Sequence, residues 1–349
     1  MLHFNRRGYH AAAPAIWQRF VARVAGKLRG IDTPPPWPER PSFEEFAALH
    51  AQALDPWQGL LSVICERHGL DGPPAQRFRL GKNVVFARGD VVIKLVPWQR
   101  AGEARRERAA LLAVSGRLKV QTPALVAAGT VGAWSYLVTS RLPGRPLAEL
   151  WPDLQPPDRQ RLSVRQAELT QQVHHLNLNA SARQALAFDW AGLLCLQAME
   201  LPGEWRGPPE LLAQARSWIE SVFWQGPGFG ADPVLLHGDL NFLNLLVERQ
   251  AGRLEVTGLL DWGDARWGPA AHDLISPAVN QFRRDASARR AWSAALGLEE
   301  GPIREATARA MLYYPDMWSI ILDDLGVPQA ASWTEVGAAL FGLSSPDSG

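Results

Sequence analysis

The chain has 349 residues, of which 47% are hydrophobic and 20% charged, so it can form two ordinary domains or one large two-lobed one. Its net charge of +1 provides no global field for nucleic acid, and its two cysteines, Cys65 and Cys195, exclude a disulfide framework. No apolar run approaches the ~20 residues that span a bilayer, and the first residues lack a signal-peptide core. We therefore expect a cytoplasmic protein without a nucleic-acid or membrane partner.

Residues 1–72 predict a helical extension that contains a proline-rich linker. Apolar residues at helical spacing over residues 13–24 predict a first helix, with basic residues on another face. This pattern favours a helix packed on its own domain over a basic helix that binds a surface. Prolines force residues 33–41 into an extended linker.

Two more helices are predicted before the pattern changes. Ser42 and Glu45 have the spacing of a capping box, which starts the first of them. The second runs around Trp57–His68 and is stopped by Gly69.

Residues 73–142 predict a small antiparallel sheet with one inserted helix. Gly129 and Gly132 are expected to mark the last turn of this sheet. The predicted strands and helix are Val84–Phe86, Val91–Val96 after a turn at Arg88–Asp90, a helix over Glu103–Val114, Leu125–Thr130 and Trp134–Thr139.

Residues 143–349 read as a mainly helical lobe. Its predicted strands are two short apolar runs, Leu245–Glu248 and Leu254–Leu260. The lobe also carries the loop and the substrate pocket described below, so the whole chain predicts an α+β fold with a sheet lobe, a helical lobe and extra N-terminal helices.

Lys94 lies in the apolar strand that begins at Val91, where a buried lysine requires a partner. Glu103 and Glu107 are four residues apart on one helix face, and we favour Glu107 because Leu111 and Leu112 after it define the core face. Such a pair can hold the α- and β-phosphates of a nucleotide. A lysine that extends to water from a half-exposed strand is the alternative.

The segment Gly81-Lys82-Asn83 precedes a strand and permits two interpretations. Gly81 and Asn83 can belong to a bend that covers the phosphates, or to an ordinary hairpin turn.

The most informative feature is a polar loop between apolar runs, His237-Gly238-Asp239-Leu240-Asn241-Phe242-Leu243-Asn244, followed by Leu259-Leu260-Asp261-Trp262-Gly263. Asp239 can act as a base that orients a hydroxyl, with His237 supporting the loop. Asn244 and Asp261 supply the hard oxygens that Mg²⁺ prefers. This constellation is the one that phosphoryl transfer from ATP requires in kinase-type sites.

Asp273 and the histidines His174 and His175 are interpreted as structural. Asp273 begins a helix-like segment, from which its carboxylate can accept bonds from the loop backbone. The two histidines match no metal-ligand spacing and are expected to be core or surface residues.

Over about residues 75–280 the chain resembles the aminoglycoside phosphotransferase family of kinase-like enzymes. The residues that carry the resemblance are Asn83-Val84-Val85-Phe86, Ile93-Lys94, Glu107, the run from Tyr136 to Gly144, His237-Gly238-Asp239 with Asn244, Asp261-Trp262-Gly263 and Asp273.

The resemblance implies a bilobal fold with ATP in the cleft. It places the adenine at the backbone of Ser140 and Leu142, makes Asp239 the catalytic base, and makes Asn244 and Asp261 the Mg²⁺ ligands. The expected function is transfer of the γ-phosphate of ATP to a hydroxyl of an aminoglycoside-like molecule, an amino alcohol or a sugar.

Two other functions are compatible with parts of the sequence. A catalytically inactive kinase-like protein would retain the fold and bind a nucleotide or a partner, but the intact set of Lys94, Asp239, Asn244 and Asp261 argues against it. A protein kinase needs a long activation segment, and the short distance from Asp261 to Asp273 disfavours it.

The acceptor pocket is expected to come from the region after residue 145 and from the C-terminus. An acidic and aromatic cluster there would suit a cationic or sugar-like acceptor. Its members are Tyr313, Tyr314, Asp316, Trp318, Asp323 and Asp324; a solvated helix end over a core is the alternative interpretation.

Overall fold

A computed structural model of the chain describes residues 40–50, 55–73, 75–78, 81–190, 192–193, 208–214, 217, 232–298, 322, 326, 329–330 and 332–341. The predicted helix over residues 13–24, most of the linker, Cys195 and the acidic and aromatic cluster lie outside these residues. The chain divides into two compact units, one containing residues up to 116 and 121–143, the other residues 117–120 and 144 onward.

The first unit is built on an antiparallel sheet of five strands in the order β1-β2-β3-β5-β4. Strands β2 and β3 are joined by a two-residue turn, as predicted. The elements of this unit are helices α1 (Phe43–His50) and α2 (Gln58–His68), strands β1 (Gln76–Phe78), β2 (Val84–Arg88) and β3 (Val91–Val96), helix α3 (Ala101–Val114), and strands β4 (Leu125–Val131) and β5 (Trp134–Ser140), with 3-10 turns at Asp55–Trp57 and Trp98–Arg100.

The predicted capping box and stop signal at the first two helices are confirmed. The Glu45 N–H donates to Ser42 Oγ at 3.1 Å, and the Ser42 N–H donates to Glu45 Oε2 at 2.6 Å. Gly69 ends α2 in the left-handed region at φ 58°, where glycine carries no Cβ penalty.

Helices α1 and α2 share a single hydrophobic core with the sheet. Trp57 and Trp134 are both almost fully buried, and their rings meet edge to face with centroids 5.4 Å apart. Phe46 packs against Trp134 in the same cluster. Helices α1 and α2 therefore contribute to the core on which the sheet rests.

The expectation that Gly129 marks a turn is wrong. The turn lies at Gly132 and Ala133, with Gly132 at φ 56°, and Gly129 lies inside β4. A side chain at position 129 would overlap the phenol of Tyr136, whose hydroxyl is 2.8 Å from His68 Nε2. Glycine is needed there for close packing. A sequence pattern does not distinguish a glycine needed for packing from a glycine that makes a turn.

The second unit contains more strands than predicted. The three short strands missing from the prediction are only two or three residues long, too short for a recognisable pattern. The elements are β6 (Arg145–Pro146), α4 (Leu147–Leu150), α5 (Pro156–His174), α6 (Ala180–Ala185), β7 (Val234–Leu236), β8 (Leu245–Gln250), β9 (Arg253–Leu259), β10 (Arg266–Gly268), α7 (Ile275–Pro277), a π-helical turn at Ala278–Phe282, α8 (Ala286–Ala295) and α9 (Trp333–Phe341), with 3-10 turns at Trp151–Asp153 and Ala270–Leu274.

Two small sheets organise this unit around one loop. Strands β6, β8 and β9 form one antiparallel sheet, and β7 pairs with β10 in the other. The loop 237–244 connects β7 to β8, so both of its ends are fixed by sheet hydrogen bonds. Among the described helices, none combines the length and apolarity needed to span a bilayer.

His50 makes the stability of the first unit depend on pH. Burial, followed by the charge of Arg77, lowers the pKa of His50 from 6.5 to about 4, and its Nε2 lies 3.3 Å from the Asn83 carbonyl oxygen. The imidazole is therefore neutral in the folded chain. Below pH 6.5 the unfolded chain binds a proton that the folded chain does not.

We expect the contribution of His50 to be complete above pH 6.5 and to be lost as the pH falls toward 4, by about 3 kcal/mol in total. Urea unfolding between pH 7.5 and 4.5 measures this slope. His50→Gln, which can still donate to the Asn83 carbonyl, should have a shallower slope. Equal slopes in the two proteins would contradict the assignment.

Candidate active site

Lys94 and Glu107 form a buried ion pair within the first unit. Lys94 lies on the central strand β3 and is 9% exposed, and Glu107 on α3 is 6% exposed. Lys94 Nζ donates to both carboxylate oxygens, at 2.8 and 2.7 Å. The lysine is therefore held by its partner in the interior of the unit and does not extend to water.

Glu103 has a different partner. It lies 3.3 Å from Lys82 in a pair that is more exposed than Lys94–Glu107. The structure therefore selects Glu107 as the partner of Lys94, in agreement with the core face inferred from the leucines that follow it.

The turn 81–83 leads into β2. Gly81 is exposed and has a φ of 101°, with open space where a side chain would lie. Asn83 is 3% exposed, and its carbonyl oxygen accepts the His50 contact described above. The turn is thus fixed on its Asn83 side, next to an exposed glycine.

Ser140 and Leu142 lie at the end of the sheet. The Ser140 N–H donates to the Ala124 carbonyl at 2.8 Å, and Ser140 Oγ accepts from the Ala124 N–H at 2.9 Å. Leu142 follows in a segment without regular structure, and no residue in the described part of the chain is hydrogen-bonded to its backbone.

The loop 237–244 holds Asp239 through bonds to both carboxylate oxygens. Asn241 Nδ2 donates to Oδ1 at 2.7 Å, and Asn244 Nδ2 donates to Oδ2 at 2.9 Å. Ser276 Oγ also donates to Oδ1. The Asp239 carboxylate is therefore fixed in one orientation by charge-assisted hydrogen bonds.

His237 supports the loop, as predicted. Its Nε2 is 2.9 Å from the Leu260 carbonyl oxygen, and the Asp239 N–H donates to its Nδ1 at 3.2 Å. Burial lowers the pKa of His237, so the imidazole is neutral. These two contacts require a proton on Nε2, because a carbonyl can only accept and an N–H can only donate.

Asp273 binds the loop backbone, and this prediction is confirmed. Its Oδ1 accepts the Gly238 N–H at 2.6 Å, and its Oδ2 accepts the His237 N–H at 3.0 Å. It lies within the 3-10 turn Ala270–Leu274, near its end rather than at a helix start. Burial alone would raise the pKa of Asp273, but the hydrogen bond and charge of His174 and the other donors hold it below its usual value.

His174 therefore has a specific partner that the sequence interpretation missed. Its Nε2 is 3.0 Å from Asp273 Oδ2, at the end of helix α5. His174 and the loop backbone share one buried carboxylate. Two sequence features together could have indicated this contact. One is a histidine at the end of a helix, and the other is an acid in a segment expected to be buried, because a buried carboxylate needs a partner.

Gly238 is required by the backbone geometry of the loop. Its φ is 85°, and a side chain there would overlap the Asp264 carbonyl group. Only glycine satisfies both conditions, so the residue between His237 and Asp239 is fixed by sterics.

Asn244 and Asp261 lie at the same end of the β8–β9 hairpin. Asn244 precedes β8 and Asp261 follows β9, and the register pairs Leu245 with Leu259. The Leu260 N–H donates to the Asn244 carbonyl at 2.8 Å. Asp261 adopts a φ of 56°, unusual for a residue other than glycine and typical of a functional constraint.

The donor set fits a magnesium ion. Asn244 Nδ2 donates to the Asp239 backbone carbonyl at 2.8 Å as well as to Oδ2, so its amide nitrogen faces the loop and its Oδ1 is the atom available as a ligand. Within the described ranges no group of three His, Cys, Asp or Glu side chains could hold a metal. Mg²⁺ commonly uses one or two protein oxygens together with substrate phosphates, which agrees with this pair.

The structure thus gathers Asp239, Asn244 and Asp261 at one loop and hairpin end of the second unit. Lys94 and Glu107 form their pair in the first unit, which also holds the turn 81–83. Three polar residues around Asp239 were not predicted: Asn241, Ser276 and Asn280.

The fold and the site together define a kinase-like phosphotransferase. Residues 77–311 match the model of the phosphotransferase enzyme family known as APH. The chain belongs to this family, and it is an enzyme that transfers phosphoryl groups to hydroxyls. The resemblance inferred from the motifs is confirmed.

Solved structures agree with this fold. APH(2")-IIia, solved with GDP and kanamycin, is 19% identical with a TM-score of 0.58, and the alignment covers 81% of this chain and 97% of that one. APH(2")-IIa, solved with streptomycin and ATP, is 14% identical with a TM-score of 0.54, covering 80% and 98%. APH(3'')-Id from Streptomyces rimosus is 19% identical with a TM-score of 0.52, covering 74% and 97%. The predicted kinase-like α+β fold is confirmed.

Replacing Asp273 should destabilise the second unit. In Asp273→Ala the His237 and Gly238 N–H groups and His174 all lose their buried acceptor, so we expect the free energy of unfolding to fall by about 3 to 5 kcal/mol. Urea unfolding measures this loss. Asp158→Ala, at an exposed pair with Arg161, is the matched control and should change stability by less than about 1 kcal/mol. Equal losses in both variants would contradict the role of Asp273.

Proposed function

We propose that the protein transfers the γ-phosphate of ATP, with Mg²⁺, to a hydroxyl of a small molecule of the aminoglycoside, amino alcohol or sugar class. The observation that carries this proposal is the fixed carboxylate of Asp239, bonded by the amide of Asn244 at the end of the β8–β9 hairpin that Asp261 follows. A rigid base beside hard oxygen ligands is what in-line phosphoryl transfer needs from a protein.

Asp239 acts on the acceptor. Its carboxylate aligns the hydroxyl with the γ-phosphorus and takes the proton as the new O–P bond forms. The bond from the γ-phosphorus to the bridging oxygen breaks, and its electron pair leaves with ADP. Because Asn241, Asn244 and Ser276 already fix the carboxylate, little reorganisation is needed during the reaction.

Asn244 and Asp261 hold Mg²⁺. When bound, the ion neutralises the charge that accumulates on the phosphate oxygens. The orientation of the Asn244 amide supports this assignment, since its nitrogen is already engaged by Asp239.

Lys94 binds the nucleotide phosphates, and Glu107 positions it. The turn at Gly81 and Asn83 contacts the phosphates. The adenine is bound at the backbone of Ser140 and Leu142. In support, Leu142 is not hydrogen-bonded through its backbone to any residue that the structure describes.

A small-molecule acceptor is favoured over a polypeptide by the segment between Asp261 and Asp273. Residues 262–272 are occupied by strand β10, paired with β7, and by the start of a 3-10 turn. No long activation segment exists between these two acids, and protein kinases use such a segment to bind a peptide. The kanamycin and streptomycin bound to two of the similar enzymes guide the choice of acceptors.

A screen of ATP consumption with aminoglycosides, amino alcohols and sugars tests the proposal. We expect Mg²⁺-dependent formation of ADP with at least one acceptor class, and none with Asp239→Ala, which serves as the blank. ATP binding without turnover on the whole panel would contradict the proposed function.

Glu107 and Glu103 offer a matched pair of substitutions on one helix. Glu107→Gln removes the charge that positions Lys94, so kcat/KM for ATP should fall by roughly 10- to 100-fold. Glu103→Gln affects only the more exposed pair with Lys82 and should change kcat/KM by less than about threefold. Steady-state kinetics with varied ATP measures both, and equal effects would exclude a special role for the Lys94–Glu107 pair.

A further inference from the structure

Ser276 lies against the proposed catalytic base but belongs to no part of the recognised motif. It is in the short helix α7, is 1% exposed, and contacts Asp239 through its hydroxyl. A buried residue in this position cannot touch a substrate, so any role in the reaction must act through Asp239.

The direction of the hydrogen bond from Ser276 follows from counting donors. A serine hydroxyl has one proton and two lone pairs. Asn241 Nδ2 donates to Ser276 Oγ at 2.8 Å, and Asn280 Nδ2 donates to it at 3.1 Å. Both lone pairs are thereby used, so the hydroxyl proton must point to an acceptor, and that acceptor is Asp239 Oδ1.

The two oxygens of Asp239 accept from different donors. Oδ1 accepts from Ser276 Oγ and from Asn241 Nδ2. Oδ2 accepts from Asn244 Nδ2, the side chain whose other end is a proposed magnesium ligand. Ser276 therefore fixes one oxygen of the carboxylate, and Asn244 fixes the other.

We propose that Ser276 is a positioning residue for phosphoryl transfer: its hydroxyl donates to Asp239 Oδ1 and holds the base, while Asn280, which donates to the same hydroxyl, offers it no competing acceptor. This inference rests on the proposed function. Beyond the proposed function, it assigns the orientation of Asp239 partly to Ser276 and Asn280, which lie outside the loop 237–244.

The π-helical turn Ala278–Phe282 supports this role. It carries Asn280 and also Gln281, whose Oε1 accepts the Phe242 N–H of the loop at 2.9 Å. Two successive side chains of one turn thus reach the loop network, one through Ser276 and one directly. Single π-helical turns occur frequently at functional sites.

Kinetics of Ser276→Ala tests the inference. We expect kcat to fall by roughly 10- to 100-fold because a charge-assisted bond to the base is lost. KM for ATP should change by less than about threefold, since Ser276 contributes nothing to nucleotide binding. Ser276→Thr keeps the hydroxyl and should recover most of the activity.

Asn280 provides a second test that leaves Ser276 in place. Asn280→Asp offers the hydroxyl an alternative acceptor and should lower kcat nearly as much as Ser276→Ala. Asn280→Ala removes a donor to Ser276 without offering an acceptor and should lower kcat by less than about threefold.

Ser293→Ala is the matched control, since Ser293 is equally buried in the same unit and donates only to the Arg290 carbonyl. If wild-type protein turns over and Ser276→Ala has the kcat of Ser293→Ala, the role of Ser276 is overturned while the proposed function stands. Equal kcat in Asn280→Asp and Asn280→Ala would also overturn it, and would do so even if Ser276→Ala failed to fold. If wild-type protein transfers phosphate to no acceptor, the proposed function and this inference both fail.

Discussion

The candidate site depends on one buried carboxylate. Asp273 accepts the N–H groups of His237 and Gly238 and is hydrogen-bonded to His174, so three protein groups meet its buried carboxylate. Removing a charge of this kind from solvent is unfavourable unless every lone pair finds a donor. The loop 237–244 supplies two of these donors only in the conformation observed, which makes the charge of Asp273 the constraint that fixes the loop.

A loop fixed in this way can hold a base without further movement. Gly238 makes the turn that no other residue allows, His237 anchors the loop to Leu260, and Asp239 emerges in a single orientation. Asn244 links that orientation to the proposed metal site because its amide nitrogen bonds Asp239 and its oxygen faces away from the loop. The proposed base and a proposed metal ligand are thus parts of one hydrogen-bond network, as electrostatic preorganisation requires.

The sequence indicated those parts of this arrangement that are local. The strand of Lys94, the helix face of Glu107 and the capping box of Ser42 follow from periodicity and spacing over a few residues. Ser276 and Asn280 left no such signal, since Ser276 contacts Asp239 from more than thirty positions away in the chain and Asn280 acts through Ser276. The predicted turn at Gly129 is wrong because a glycine that avoids a steric clash looks the same in a sequence as a glycine that makes a turn.

The proposed role of Asp239 is to perform chemistry, not to bind the nucleotide. The most direct measurement compares the equilibrium Kd for ATP with the single-turnover rate of phosphoryl transfer in wild-type protein and in Asp239→Ala. We expect the variant to have a Kd within about threefold of wild type and a rate lower by roughly 10²- to 10⁴-fold. Turnover near the wild-type rate in the variant would contradict this role of Asp239.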